Sequence, residues 1–240
     1  MRIRGVENVE SRGWKPWTTY WEPVRGCKKV SEGCLHCYAE RVCRKMCRWT
    51  YKDFCQPRKV ENPQKPPKKG VVNVCGLSDL FGEWNTNGEI VYWLNQLDAD
   101  TKNLVLTKRA ERMAKMNPVL PEADNYYYGV SCETQERFDE RAKFLPWLGR
   151  HRKFVCLEPL LGPIVIPPDM ILDWIVVGVE GGYGKRHAEA EWLEAIGQYA
   201  QEREIPLFVR SMDIGGKVVR DINKFPEVLQ KRQYPWNHGH

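Results

Sequence analysis

Three cysteines near the front of the chain have the type and spacing of a metal site. Cys27, Cys34 and Cys37 stand as C-x6-C-x2-C within the run from Gly26 to Tyr38. A two-residue spacing lets Cys34 and Cys37 grip one metal centre, while Gly26 and Gly33 allow the backbone to bring Cys27 back across the loop. Lys28 and Lys29 favour the thiolate form on electrostatic grounds. Three thiolates leave one coordination position free, whereas a closed structural zinc site takes four. His36 lies between Cys34 and Cys37 and would have to bend back to reach the same ion, so it reads as a residue of the loop that supports the ligands. Cys43 and Cys47 are four apart on one face of the helix expected after Tyr38. With Cys55 they would complete a zinc site or hold a second cluster, against the preferred view of them as small buried side chains on an amphipathic helix.

Further candidate chemistry lies at the ends of short apolar runs. Runs at 18–24, 71–77, 103–107, 126–131, 153–157, 174–179 and 206–209 alternate with helical periodicity at 109–116, 135–144 and 189–203. That alternation predicts an α/β fold of parallel strands joined by crossovers. Seven strands suit a partial (β/α) TIM-type barrel, with an open doubly wound sheet as the rival. In either architecture a ligand sits at the carboxyl ends of the strands. There the chain carries Ser78-Asp79, Thr107-Lys108-Arg109, Ser131-Cys132-Glu133, Glu158, Glu180-Gly181-Gly182 and Arg210-Ser211. Any one of these groups is explained by helix capping. Six in succession are costly to bury in a core, and together they predict a lined cavity.

A chain of 240 residues accommodates one large domain or two small ones. We expect a single domain over 1–240 with a cysteine-rich, basic portion at 1–69, ending in a proline-rich connector at 61–69. The net charge is +6, yet residues 1–69 hold 17 Lys and Arg against 7 Asp and Glu. Trp14, Trp17, Tyr20, Trp21, Tyr38, Trp49, Tyr51 and Phe54 are interleaved with this charge. Such a mixture suits phosphate attraction and base stacking, and so a nucleotide or nucleic-acid substrate, although a solvated face over core aromatics has the same composition. With 42% hydrophobic residues, a mean hydropathy of −0.57 and no apolar run approaching the roughly 20 residues of a spanning helix, neither a membrane-spanning nor a disordered chain is expected. Residues 1–7 carry charge with no apolar core behind it, so no secretory signal is expected and a cytoplasmic location follows. In that reducing compartment nine cysteines, an odd number, serve metals or catalysis rather than a disulfide framework.

The order of several motifs resembles a phage-associated three-Cys-motif protein family of unknown function. The motifs are Trp-Glu-Pro-Val-Arg-Gly-Cys at 21–27, Val-Ser-Glu-Gly-Cys-Leu-His-Cys-Tyr-Ala-Glu-Arg at 30–41, Leu-Ser-Asp-Leu-Phe at 77–81, Leu-Thr-Lys-Arg at 106–109, Gly-Val-Ser at 129–131, Glu-Pro-Leu-Leu-Gly-Pro at 158–163 and Asp-Trp-Ile-Val-Val-Gly at 173–178. The resemblance implies a partial barrel of the radical S-adenosylmethionine (SAM) kind. It further implies a [4Fe-4S] cluster on Cys27, Cys34 and Cys37, with SAM chelated at the open iron. Reductive cleavage by an external electron donor would give a 5′-deoxyadenosyl radical that abstracts hydrogen from a substrate at the strand-end mouth. On that footing Tyr38 offers a ring beside the adenine. Ser78 and Asp79 suit the methionyl amino group, Ser131 and Glu133 the ribose hydroxyls, and Lys108 with Arg109 a carboxylate or substrate phosphate. Glu158 and Glu180 would be cofactor contacts or proton carriers, with barrel-stabilising salt bridges as the alternative. The loop departs from the usual radical spacing of C-x3-C-x2-C, and His36 stands where an aromatic normally precedes the third cysteine. A competing expectation is a zinc-stabilised nucleic-acid-binding protein without catalysis, its ion held by Cys27, Cys34, Cys37 and one of His36 or Cys43. A simple electron carrier would want four cysteine ligands and no large pocket.

Overall fold

The computed structural model describes residues 13–61 and 63–237. The segment 1–12, on which the expectation about a secretory signal rests, lies outside the described residues. Strand β1 (Thr19–Trp21) ends just before Pro23, and β2 (Val24–Arg25) pairs antiparallel with β3 (Arg58–Lys59). Between β2 and β3 lies the cysteine-rich insertion, with helices α1 (Tyr38–Cys47) and α2 (Tyr51–Phe54). The proline-rich stretch after β3 forms no helix or strand among its described residues, as three prolines without N–H donors dictate.

The rest of the chain alternates. Strand β4 (Gly70–Val74) leads to α3 (Asn87–Leu94), β5 (Thr101–Thr107) to α4 (Ala110–Lys115), and β6 (Tyr126–Ser131) to α5 (Gln135–Ala142). Then come β7 (Arg152–Leu157), β8 (Trp174–Val177), α6 (Ala190–Glu202), β9 (Leu207–Val209) and a hairpin of β10 (Met212–Ile214) with β11 (Lys217–Val219). Seven strands form one sheet in the order β1-β4-β5-β6-β7-β8-β9, every pair parallel, curled into half a barrel. The partial barrel predicted from the alternation is therefore present, and the open doubly wound sheet is not.

Helix α3 was not anticipated, although Thr86 and Glu89 form a reciprocal capping box at its start, a signature readable in the sequence. The β7–β8 connection has no helix. Pro159, Pro163, Pro167 and Pro168 interrupt it, and Ile164, Ile166 and Leu172 bury against the sheet in a helix's place.

Alternation along the strands divides the core in two. One face packs Val72, Val105, Val130, Val155, Ile175 and Val209 against the helices. The concave face holds Leu104, Tyr127, Phe154, Trp174, Val176 and Phe208, with Trp17, Tyr234 and Trp236 against them. The C-terminal segment thus plugs the amino-terminal end of the half-barrel. Trp174 lies 5.9 Å from Tyr234 and 5.8 Å from Trp236 and donates its indole N–H to the Gln233 carbonyl at 2.9 Å. The same segment covers the free edge of β9, since Val209 donates to the Lys231 carbonyl at 2.9 Å, which blunts an exposed strand edge.

Candidate active site

The cysteine loop sits over the carboxyl ends of β1, β4 and β5. Gly26 donates to the Leu77 carbonyl at 3.1 Å and Cys27 to the Phe54 carbonyl at 2.9 Å, while the Ser78 hydroxyl donates to the Gly26 carbonyl at 2.5 Å. Cys34 is buried and lies 3.8 Å from the Ser31 hydroxyl. Cys37 caps α1, so its thiol stands at the helix's positive end. Burial pushes the Cys27 and Cys37 thiols up; the charges of Cys34 and Cys37 are both felt at Cys27, and that of Cys34 at Cys37. The three sulfurs therefore share one neighbourhood, together with Asp79, Arg109 and Lys108. Among the described residues no set of three or more His, Cys, Asp or Glu side chains has the arrangement of a metal site.

Of the two candidate fourth donors, His36 is engaged elsewhere and Cys43 is not. His36 shares a hydrogen bond with Glu180 at 2.9 Å. Cys43 is fully buried in a small apolar cluster with Ala39, Phe54 and Leu77, and Cys27 and Cys37 pack against the same cluster. Cys47 accepts from Arg25 at 3.9 Å and lies close enough to Cys43 for its charge to be felt there, while Cys55 lies beside Tyr51.

The polar strand ends close on one another instead of lining an open cavity. Glu133, wholly buried, is the hub: it pairs with Lys108 at 2.7 Å and Arg141 at 2.7 Å and accepts from Ser31 in the cysteine loop. Burial opposes ionisation of Glu133, but the charges of Lys108 and Arg141 hold its carboxyl below the usual range. Gly33 is required beside it, because a Cβ there would overlap the Glu133 side chain. Lys108 also donates to Ser131 at 2.8 Å. Asp79 is spent on the fold: it accepts from Thr107 at 2.7 Å, from the Lys108 N–H at 3.1 Å and from Arg109 at 3.0 Å. Glu180 accepts from His36 and from Arg186. Although burial opposes it, the Arg186 and His36 bonds bring that carboxyl down to about 2. Glu158 is ion-paired with Arg210. Glu158 and Glu180 thus both form salt bridges, Glu133 holds the cysteine loop to the barrel through Ser31, and Asp79 ties the end of β4 to that of β5.

Two further groups meet beside Gly76. The Tyr38 ring is 41% exposed while its hydroxyl donates to the Gly76 carbonyl at 2.5 Å. Glu22, at the end of β1, was not among the residues singled out, and its only signal was a lone acid beside Pro23. Its Oε2 accepts from the Leu77 N–H at 2.8 Å, whereas Oε1 is buried without a partner. Burial raises this carboxyl to about 8, so it is protonated at neutral pH and can donate. A Cβ placed on Gly76 would meet Asn73, Tyr38 and Glu22 together, which shows that the three converge.

Fold and site together define an α/β half-barrel protein whose thiol-bearing loop follows the first strand and whose polar centre lies at the carboxyl ends of the rest. The sequence matches the family described as "Protein of unknown function (DUF5131)" over residues 14–232, and the chain belongs to that family. No curated protein and no solved structure matches it.

Proposed function

We propose that this chain is a radical S-adenosylmethionine enzyme in which Cys27, Cys34 and Cys37 hold a [4Fe-4S] cluster. The observation that carries the proposal is the loop that brings Cys27, Cys34 and Cys37 back over the carboxyl ends of the sheet, with His36 turned away to Glu180. When bound, the cluster and SAM would supply a 5′-deoxyadenosyl radical after one-electron reduction by an external donor. The chain's own residues would then position and shield. Glu133 and Glu180 anchor the loop to the ends of β6 and β8 through Ser31 and His36. Tyr38 presents a ring at the mouth, and the protonated Glu22 offers a donor next to it. The aromatic plug below excludes water from the concave side. A substrate enters from the carboxyl ends, where the basic front meets the barrel, which supports a nucleotide or nucleic acid.

Anaerobic reconstitution with iron and sulfide tests this. The expected result is a brown protein absorbing near ~400 nm from thiolate-to-iron charge transfer that releases 5′-deoxyadenosine when given SAM and a reductant. Cys34→Ala should abolish the chromophore. A colourless protein holding one zinc, or an unchanged spectrum in Cys34→Ala, would overturn the proposal.

A further inference from the structure

Three guanidinium groups crowd the mouth where β8 and β9 end, and one carboxylate serves them. Arg210, on the concave side of β9, pairs with Glu158, and its Nε is buried without a partner. Its guanidinium lies 5.3 Å from the Trp14 ring centre and 4.7 Å from that of Trp17. Arg220 follows the hairpin and lies 4.6 Å from the same Trp14 ring. Arg41, from α1, donates to the Gly181 carbonyl at 2.9 Å, and an Arg220 nitrogen comes within 3.7 Å of where a Gly181 Cβ would stand. Among the described residues neither Arg41 nor Arg220 has a carboxylate partner. Desolvation, followed by the like charge of Arg210, holds Arg220 below the usual guanidinium range.

The turn between these arginines fits the same ligand chemistry. Gly182 has φ +108°, and a side chain there would overlap Arg41. The backbone N–H groups of Gly181 and Gly182 have no acceptor among the described residues. Successive free N–H groups in a glycine turn form an anion-binding concavity, and guanidinium forks match the oxygens of phosphate bidentately. Arg210 rests on the Trp14 and Trp17 rings and Arg220 on Trp14, contacts that reduce the side-chain freedom to be lost on binding.

We infer that Arg41, Arg210 and Arg220, around the Gly181–Gly182 turn, form a binding site for a phosphate group. Assigning that phosphate to the substrate rests on the radical-enzyme proposal; the anion site itself does not. The class of substrate follows: a phosphorylated molecule whose reacting carbon reaches the opening above Tyr38 while its phosphate is held beside β9.

Binding is measured by calorimetry on the full chain, before and after iron reconstitution, so that the result is independent of the cluster. The probes are inorganic phosphate, a nucleoside 5′-monophosphate, a 5′-phosphorylated single-stranded oligonucleotide and the unphosphorylated nucleoside. Saturable binding of the phosphorylated probes is expected, falling with salt, and weakened at least tenfold in Arg220→Ala and in Arg41→Ala. Arg220→Lys, which keeps the charge and loses the fork, should fall between; Arg203→Ala, remote on α6, should bind as the parent. Tightest binding by the monophosphate marks a nucleotide substrate and by the oligonucleotide a polynucleotide; both support the site. If no phosphorylated probe binds, or if Arg220→Ala and Arg220→Lys, shown by circular dichroism to be folded, bind as tightly as the parent, the inference is wrong even where iron binding succeeds.

Discussion

Replacing Glu133 by Gln should uncouple the cysteine loop from the barrel. The exchange keeps the side chain's shape and removes the one negative charge shared by Lys108 and Arg141, whose side chains are 19% and 4% exposed. Removing one partner of a buried ion pair costs about 3–5 kcal/mol because the other charge is left uncompensated. Lys108 is partly solvated, which places the expectation near ~3 kcal/mol, a large part of the roughly 5–15 kcal/mol that stabilises a domain. At roughly 2–4 °C per kcal/mol for a chain of this size, the melting temperature should fall by about 6–12 °C. The pH dependence gives a second readout. The folded carboxyl titrates below its unfolded value, so its contribution is complete above the ordinary carboxylate range and is lost as pH falls through the folded pKa. The gap between parent and Glu133→Gln, followed by circular dichroism in urea at several pH values, should be constant from pH 6 to 8 and close below about pH 4. A gap under ~1 kcal/mol at pH 7, the size of an exposed ion pair, or one that persists unchanged into acid, would refute the argument that Glu133 is the hub of the site.

Glu22 should show the opposite pH behaviour. Its folded pKa lies near 8, above the unfolded value of about 4.3, so the unfolded chain releases this proton first and stability declines as pH rises between the two. Glu22→Gln cannot ionise, and its melting temperature relative to the parent should climb from pH 5 to pH 8; parallel profiles would dismiss a protonated Glu22. Trp174→Ala should cost about 3–5 kcal/mol, the usual penalty for emptying a buried tryptophan site. It should also shift the near-ultraviolet dichroism of Tyr234 and Trp236, and a loss below ~1 kcal/mol in urea unfolding would mean the C-terminal segment does not plug the barrel.

The sheet was legible because the signals that make strands are local. Each apolar run from 103–107 onward overlaps an observed strand to within two residues at either end, since a strand buried on both faces reads as a continuous apolar stretch. The first strand is shorter than the apolar run at 18–24 because Pro23 breaks it. The site was only half legible. The spacing of Cys27, Cys34 and Cys37 placed them on one loop, and that loop follows the first strand as expected. The strand-end groups were located correctly as positions, but their partners were not visible.

What the sequence alone determined, then, is where chemistry-bearing residues occur along an alternating α/β chain, because periodicity and turn residues act over a few neighbours. The tertiary structure decided which of them meet. Ser31 and Glu133 lie 102 positions apart, and His36 and Glu180 lie 144 apart; no local pattern encodes such pairs. They form because the curled sheet brings its carboxyl ends under one loop, and a charge excluded from water there is stable only against an opposite charge or a hydrogen-bond donor. The same closure isolates the Glu22 carboxyl and, among the described residues, leaves Arg41 and Arg220 without a salt-bridge partner.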